Sequence, residues 1–368
     1  MSTEMLKESS VPLITPETNC KCETKLEKMA RSPVYRTCRI LCHLLSLIFV
    51  RFWKLCVSAT LILILLFWFY GGALTFLFLM FSIFGIFYYA QDMFLYYPDQ
   101  PPNSRIYVEQ PDKFQLPFEN VFVKTRDGVS LNMYLVKQPN SAGFPSVIML
   151  HGNAGNIGHR LMMTYFLYKH AHCNILMVEY RGYGRSAGKP SESGLYCDAE
   201  CALEYMINRE DIDSKKLFVM GSSLGGAVSI KLTSDPKYSG KVAGLILENT
   251  FTSLPDVAKS LFGIKALDFL PLFCYKNKYL SEYRIGKITL PTLFLSGQND
   301  DLIPPHMMLS LYNMSGSTQK RLVPFENGTH NDTCLCPGFY ESIGQFIYEV
   351  VNGSRPDKPQ NDVSMNME

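Results

Sequence analysis

Residues 217–232 read LFVMGSSLGGAVSIKL, and this stretch decides the fold. Apolar residues suited to a buried strand run into Gly221-Ser222-Ser223-Leu224-Gly225-Gly226, and a helical pattern follows at once. The centre is a G-x-S-x-G match on Ser223, weak by itself in a chain with 25 glycines. Its position gives it weight. A strand that turns sharply into a helix needs small residues where the backbones crowd, and Gly221 and Gly225 supply them. Ser223 would then stand out at the carboxyl edge of a sheet, in front of the positive end of a helix dipole. The bland alternative is a glycine-rich turn without chemistry.

Working outward, similar apolar runs recur at 146–150 (SVIML), 175–180 (ILMVEY), 244–248 (GLILE) and 292–297 (TLFLSG). A last strand is expected at 321–325 and a final helix over 339–351. Segments of helical periodicity, such as 191–209 and 224–234, lie between these runs. Buried strands alternating with helices predict an α/β domain with a mostly parallel, doubly wound sheet over 118–352. At its front, 119–124 and 129–137 flank Arg126-Asp127-Gly128, a hairpin signal. Residues 353–368 read as a polar tail.

A serine hydroxyl is a poor nucleophile without a base and an acid to orient that base. Strand 292–297 is followed by Gln298-Asn299-Asp300-Asp301, where Asp300 is the expected acid and Asp301 its alternative. His330 follows the last strand within NGTHND and is the expected base. The order Ser, Asp, His fits a nucleophile elbow. The rival base, His306, opens a helix only six residues after Asp300. His43, His159, His170 and His172 come before the serine and read as surface or packing residues. Two backbone amides must hold an oxyanion: Leu224 after the nucleophile, and Asn153 in the loop HGNAGN at 151–156. As a phosphate loop that turn fails, because no G-K-[ST] follows.

Residues 55–91 carry no charge, and this mostly apolar run of 37 residues exceeds the ~20 needed to cross a bilayer as a helix. The run is too long and starts too late for a cleaved leader, so a retained anchor is expected, as a single transmembrane helix. The alternative is a re-entrant hairpin turning at Gly71-Gly72. Residues 1–54 form a basic segment; through Leu55 the chain has net charge +4, which leaves −2 for the rest of a +2 total. Arg36, Arg39, Arg51 and Lys54 precede the run without an acid among them, whereas Asp92, Asp99 and Glu109 follow it. The positive-inside rule then predicts a cytosolic N-terminus and a lumenal or extracellular domain, the type II arrangement. Sequons at Asn313, Asn327, Asn331 and Asn352 permit glycosylation on that side. A proline-rich linker, 92–117, joins anchor to domain.

Charged residues make up only 18% of the chain, and the small net charge excludes the broad basic field of a nucleic-acid binder. Cys20-x-Cys22 has no second ligand pair, so no metal is expected, and no cofactor is implied. Cys197 and Cys201, one helical turn apart, should pack in a core. A Cys274–Cys336 disulfide is an open possibility. The segment 252–290 occupies the place of a cap over the nucleophile, and its apolar part 261–273 either packs on the sheet or forms a lid that admits an acyl chain.

The segments HGNAGNIGHR (151–160), YRGYGRS (180–186), GSSLGG (221–226), ENTF (248–251), CYKNK (274–278), LIPP (302–305) and GTHNDT (328–333) carry a resemblance. Together they resemble the alpha/beta hydrolase domain-containing 13 family, membrane-anchored serine hydrolases related to the Bem-type proteins of fungi. The resemblance implies an alpha/beta-hydrolase fold, a triad on Ser223, Asp300 and His330, and a single-pass type II membrane protein. The expected reaction is cleavage of an ester or thioester in an acyl or lipid-like substrate, with the bilayer as partner. Rival readings are a serine amidase or peptidase, a cytosol-facing protein depalmitoylase, and a non-catalytic membrane scaffold.

Overall fold

The structure is a computed structural model that describes residues 33–353. Cys20, Cys22, most of the basic segment and all but the first residue of the expected tail lie outside the described residues.

Two apolar helices come first, α1 (Pro33–Tyr70) and α2 (Gly72–Leu95). Both are long and apolar enough to cross a membrane, over Arg39–Tyr70 and Gly72–Leu95. The expectation is one span within the 55–91 anchor; the run is instead divided between two helices, at the Gly71-Gly72 step named as the alternative turn. Charge marks where an apolar stretch ends, not where a helix ends: arginine and lysine are good helix formers, so helical chain resumes beyond a kink at Phe52 (φ −113°, ψ 20°) and continues back through Arg51, Arg39 and Arg36. The break falls at Gly71, whose φ of 78° and ψ of 177° suit a residue without a side chain. The start of the expected linker, Asp92 to Leu95, is the last turn of α2.

The domain is built on eight strands: β1 (Phe118–Lys124), β2 (Ser130–Val136), β3 (Ser146–Leu150), β4 (Asn174–Val178), β5 (Leu217–Ser222), β6 (Gly244–Glu248), β7 (Thr292–Gly297) and β8 (Lys320–Phe325). Their order across the sheet is β1-β2-β4-β3-β5-β6-β7-β8. The β1/β2 hairpin is antiparallel and β2 meets β4 antiparallel, while the six strands from β4 to β8 run parallel. Alternate residues of each central strand feed opposite faces. Ile148, Leu150 and Val219 join one core with α3 (Glu192–Ile207) and α4 (Leu224–Thr233), whereas Val147, Met149 and Phe218 join another with a final helix, Phe339–Asn352. Both faces are covered, so a continuous apolar run rather than an alternating one is what each strand requires.

The strands agree with the expected runs, apart from β4, which stops at Val178. Beyond it Glu179 turns into the interior, buried against the loop after β3. Cys197 and Cys201 are buried, and Cys274 and Cys336 are free thiols, so the bridge considered between them does not form.

Candidate active site

Five loops converge at the carboxyl ends of the parallel strands, where open α/β sheets place their ligands. The sharpest follows β5. Ser223 has φ 53° and ψ −117°, a strained conformation for a residue with a side chain. Two glycines make the turn possible. A Cβ on Gly221 would lie 2.2 Å from the Gly225 carbonyl oxygen, and one on Gly225 would lie 2.0 Å from that of Leu150. The strain is held by hydrogen bonds: Ser223 N–H donates to Glu248 O (2.8 Å), and Thr250 Oγ1 donates to Ser223 O (2.7 Å).

The structure brings together the three side chains expected to act together. His330 Nε2 lies 3.0 Å from Ser223 Oγ, and His330 Nδ1 lies 2.7 Å from Asp300 Oδ2. With a carboxylate on Nδ1 the neutral ring carries its proton there, which leaves the Nε2 lone pair for the serine hydroxyl. Asp300 is buried; its Oδ1 accepts from Leu302 N (3.0 Å) and Ile303 N (2.7 Å), so the carboxylate is fixed from both sides. Asp301 is exposed and makes no such contact. His306 instead borders a separate cleft of about 720 Å³ with Asp256, Lys259 and Glu282, and no triad residue lines it.

Leu224 is the first residue of α4, so its N–H has no intrahelical acceptor and stands beside Ser223. The loop after β3 passes close on the other side: a Cβ on Gly152 would be only 3.6 Å from Ser223 Cβ. Asn153 is held by the chain leaving α2. Its carbonyl accepts from Tyr97 N (2.9 Å) and Tyr183 Oη (2.8 Å), and its Nδ2 donates to Leu95 O (3.1 Å). Beneath the loop, buried His151 bonds to Gly152 O through Nδ1 (2.7 Å) and faces Glu179 Oε1 through Nε2 at 3.3 Å, a close approach without hydrogen-bond alignment.

Two residues that motif reasoning did not single out complete the frame. Asn249, buried with φ 44°, donates from Nδ2 to Thr333 Oγ1 (2.9 Å) and reaches the Thr329 and His330 carbonyls at 3.2 Å, while its Oδ1 accepts from Gly297 N (2.8 Å). It therefore ties the strand bearing the acid to the loop bearing the base. Glu248 is also buried and accepts a hydrogen bond from Ser222; burial raises its pKa, against the pull of Ser222, Arg160 and His330. The only available signal was position, in ENTF at the end of β6 beside the nucleophile strand. Cys334, four residues past His330, is no rival nucleophile, since burial pushes its thiol up to about 12.

This fold and this arrangement define the alpha/beta hydrolases. The family described as serine aminopeptidase, S33, matches residues 144–281. The chain is 39% identical to the protein Bem46 of Schizosaccharomyces pombe over 72% of its own length and 88% of that protein's. It is 36% identical to the alpha/beta hydrolase domain-containing protein WAV2 of Arabidopsis thaliana, over 74% and 91%. With an uncharacterized membrane protein of Saccharomyces cerevisiae it shares 35% identity over 69% and 88%. The fold is that of a Pyrococcus furiosus esterase (TM-score 0.56, 18% identity, 69% and 97% covered) and of a 2,6-dihydroxy-pseudo-oxynicotine hydrolase (TM-score 0.56, 19%, 76% and 82%). The chain belongs to the Bem46-type family of alpha/beta hydrolases.

Proposed function

We propose that the chain is a membrane-anchored serine hydrolase of the domain-13 branch of that family, cleaving an ester or thioester of an acyl or lipid-like substrate. The observation that carries this reading is the Ser223–His330–Asp300 relay, assembled from three loops far apart in sequence. Ser223 Oγ attacks the carbonyl carbon as His330 Nε2 takes its proton, and Asp300 stabilises the resulting imidazolium. The Leu224 and Asn153 N–H groups receive the oxyanion. The tetrahedral intermediate then collapses, His330 protonates the leaving group, and water releases the acyl group by the same route in reverse. Turnover of a panel of p-nitrophenyl esters and acyl thioesters tests the reading: wild type turns over at least one class, and loss of that turnover in Ser223→Ala is the expected result.

A second reading, amide cleavage, is favoured by the S33 description of the matching family. The same triad would serve it, and peptide amides in the panel separate the two.

The basic flank before the apolar run supports a type II orientation, with the domain lumenal or extracellular. Asn313, Asn327, Asn331 and Asn352 are exposed, as acceptors of glycans on that side would be. Passage of both α1 and α2 would return the domain to the side of the N-terminus, where a cytosol-facing depalmitoylase would act. Glycosidase-sensitive mass on the full-length chain is the result expected of the type II orientation; its absence, with the domain digested by protease outside sealed microsomes, would reverse it.

A further inference from the structure

The 252–290 segment leaves the sheet beside Thr250, the residue that holds the Ser223 carbonyl. Part of it packs: Pro255 and Val257, on the helix Leu254–Phe262, are buried. The following stretch does not. Phe269 is 87% and Phe273 70% exposed, and Leu270 and Leu272 between them are exposed too. A contiguous apolar strip of this kind marks an interaction surface in a protein that keeps it.

What lies beside the strip identifies its partner. Gln91, the last residue of the charge-free run, donates from Nε2 to Cys274 O (2.9 Å) and accepts on Oε1 from Lys276 N (2.8 Å). Asp92, the first charge after the run, pairs with Lys276 Nζ and accepts from Asn277 Nδ2 (2.7 Å). Lys276 also lies 5.2 Å from the ring centre of Tyr89. The strip thus ends one residue before a polar latch on α2, at the level where α2 changes from apolar to charged. Tyrosines and lysines at that level are the residue types that settle at a membrane–water boundary.

We propose that the strip 269–273 docks into the interfacial layer of the bilayer that holds α2, so that an amphipathic acyl ester reaches Ser223 from the lipid surface. The docking stands on the latch and the exposed strip; the delivery of substrate rests on the serine-hydrolase reading. The two phenylalanines and two leucines enter the headgroup and acyl boundary, and Lys276 stays in its polar part.

The test uses the full-length chain in phosphatidylcholine vesicles, with the photoreactive benzoylphenylalanine at position 269 or 273, and at Phe122 on edge strand β1 as control. Covalent lipid adducts at 269 and 273, well above the Phe122 level, are the expected result. Adducts only to protein, or none above the control, would overturn the docking. The double variant Phe269→Asp/Phe273→Asp should hydrolyse a vesicle-borne long-chain ester about tenfold more slowly or worse, since two apolar anchors are lost. Its turnover of soluble p-nitrophenyl acetate should stay within about twofold, because the triad is untouched. Unchanged turnover of the vesicle-borne ester would overturn the delivery of substrate. If the unaltered chain hydrolyses neither ester, the hydrolase reading fails, and the cross-linking result alone decides the docking.

Discussion

At the scale of single residues, the reacting groups were legible because each sits in a short pattern whose geometry is local. Gly221 and Gly225 announce the elbow, and the order of Ser223, Asp300 and His330 follows the strands that carry them. Asn249 was not legible. Its role exists only when the ends of β6 and β7 and the loop after β8 meet, and nothing within a few residues of it records that meeting. The structure makes its contribution testable. Asn249→Ala removes the acceptor of the Gly297 amide and a donor to the His330 carbonyl, leaving the Thr329 carbonyl only its bond from Thr333 Oγ1, and loosens the His330 loop, so kcat should fall about ten- to a hundredfold with KM little changed. Steady-state kinetics on a soluble ester checks it. A rise in KM with kcat unchanged would mean that Asn249 acts on binding and not on the position of His330.

At the scale of elements, the strands were readable because each is buried on both faces, and the anchor was readable as an apolar run. Its division into two helices stood only as the alternative turn at Gly71-Gly72, since composition shows where charge is absent but not which glycine breaks a helix. Gly71 separates two helices that together hold 62 residues between Pro33 and Leu95, the first of them kinked at Phe52. The consequence for chemistry lies at the far end of α2. Leu95 and Tyr97 hold Asn153 by three contacts shared with Tyr183, so the exit from the anchor is part of the frame of the proposed oxyanion hole. Asn153→Ala keeps the backbone N–H but releases the bond to Leu95, and Tyr183→Phe removes the hydroxyl on the Asn153 carbonyl. Each should lower kcat by about three- to tenfold, the effect of a displaced donor and not of a missing one. Rates equal to wild type in both variants would show that the loop keeps its place without the anchor.

At the scale of the whole molecule, charge pairs staple the hairpin edge to the body of the domain. Asp127 is forked by Arg181 (2.7 and 3.0 Å), and Asp211 is gripped by Arg209 (2.7 Å at both oxygens) with help from Lys137. Both carboxyls are held well below their ordinary value of 3.8, first of all by those arginine hydrogen bonds. The folded state therefore binds these protons less readily than the unfolded chain. The stability they contribute is fully present above that ordinary value and is lost as pH falls below it towards the folded values. Thermal melting of the detergent-solubilised chain should fall across that acidic range, and Asp127→Asn/Asp211→Asn should flatten the decline while lowering stability at neutral pH. An unchanged slope would place acid sensitivity elsewhere.

The kinetic expectations assume that Ser223 bears the reacting atom. The most direct measurement is fluorophosphonate labelling of the full-length chain in its membrane, with the adduct mapped by peptide mass. The account predicts a single adduct, on Ser223, lost in Ser223→Ala and strongly reduced in His330→Ala. An adduct on another residue, or labelling of Ser223→Ala as strong as that of wild type, would contradict it.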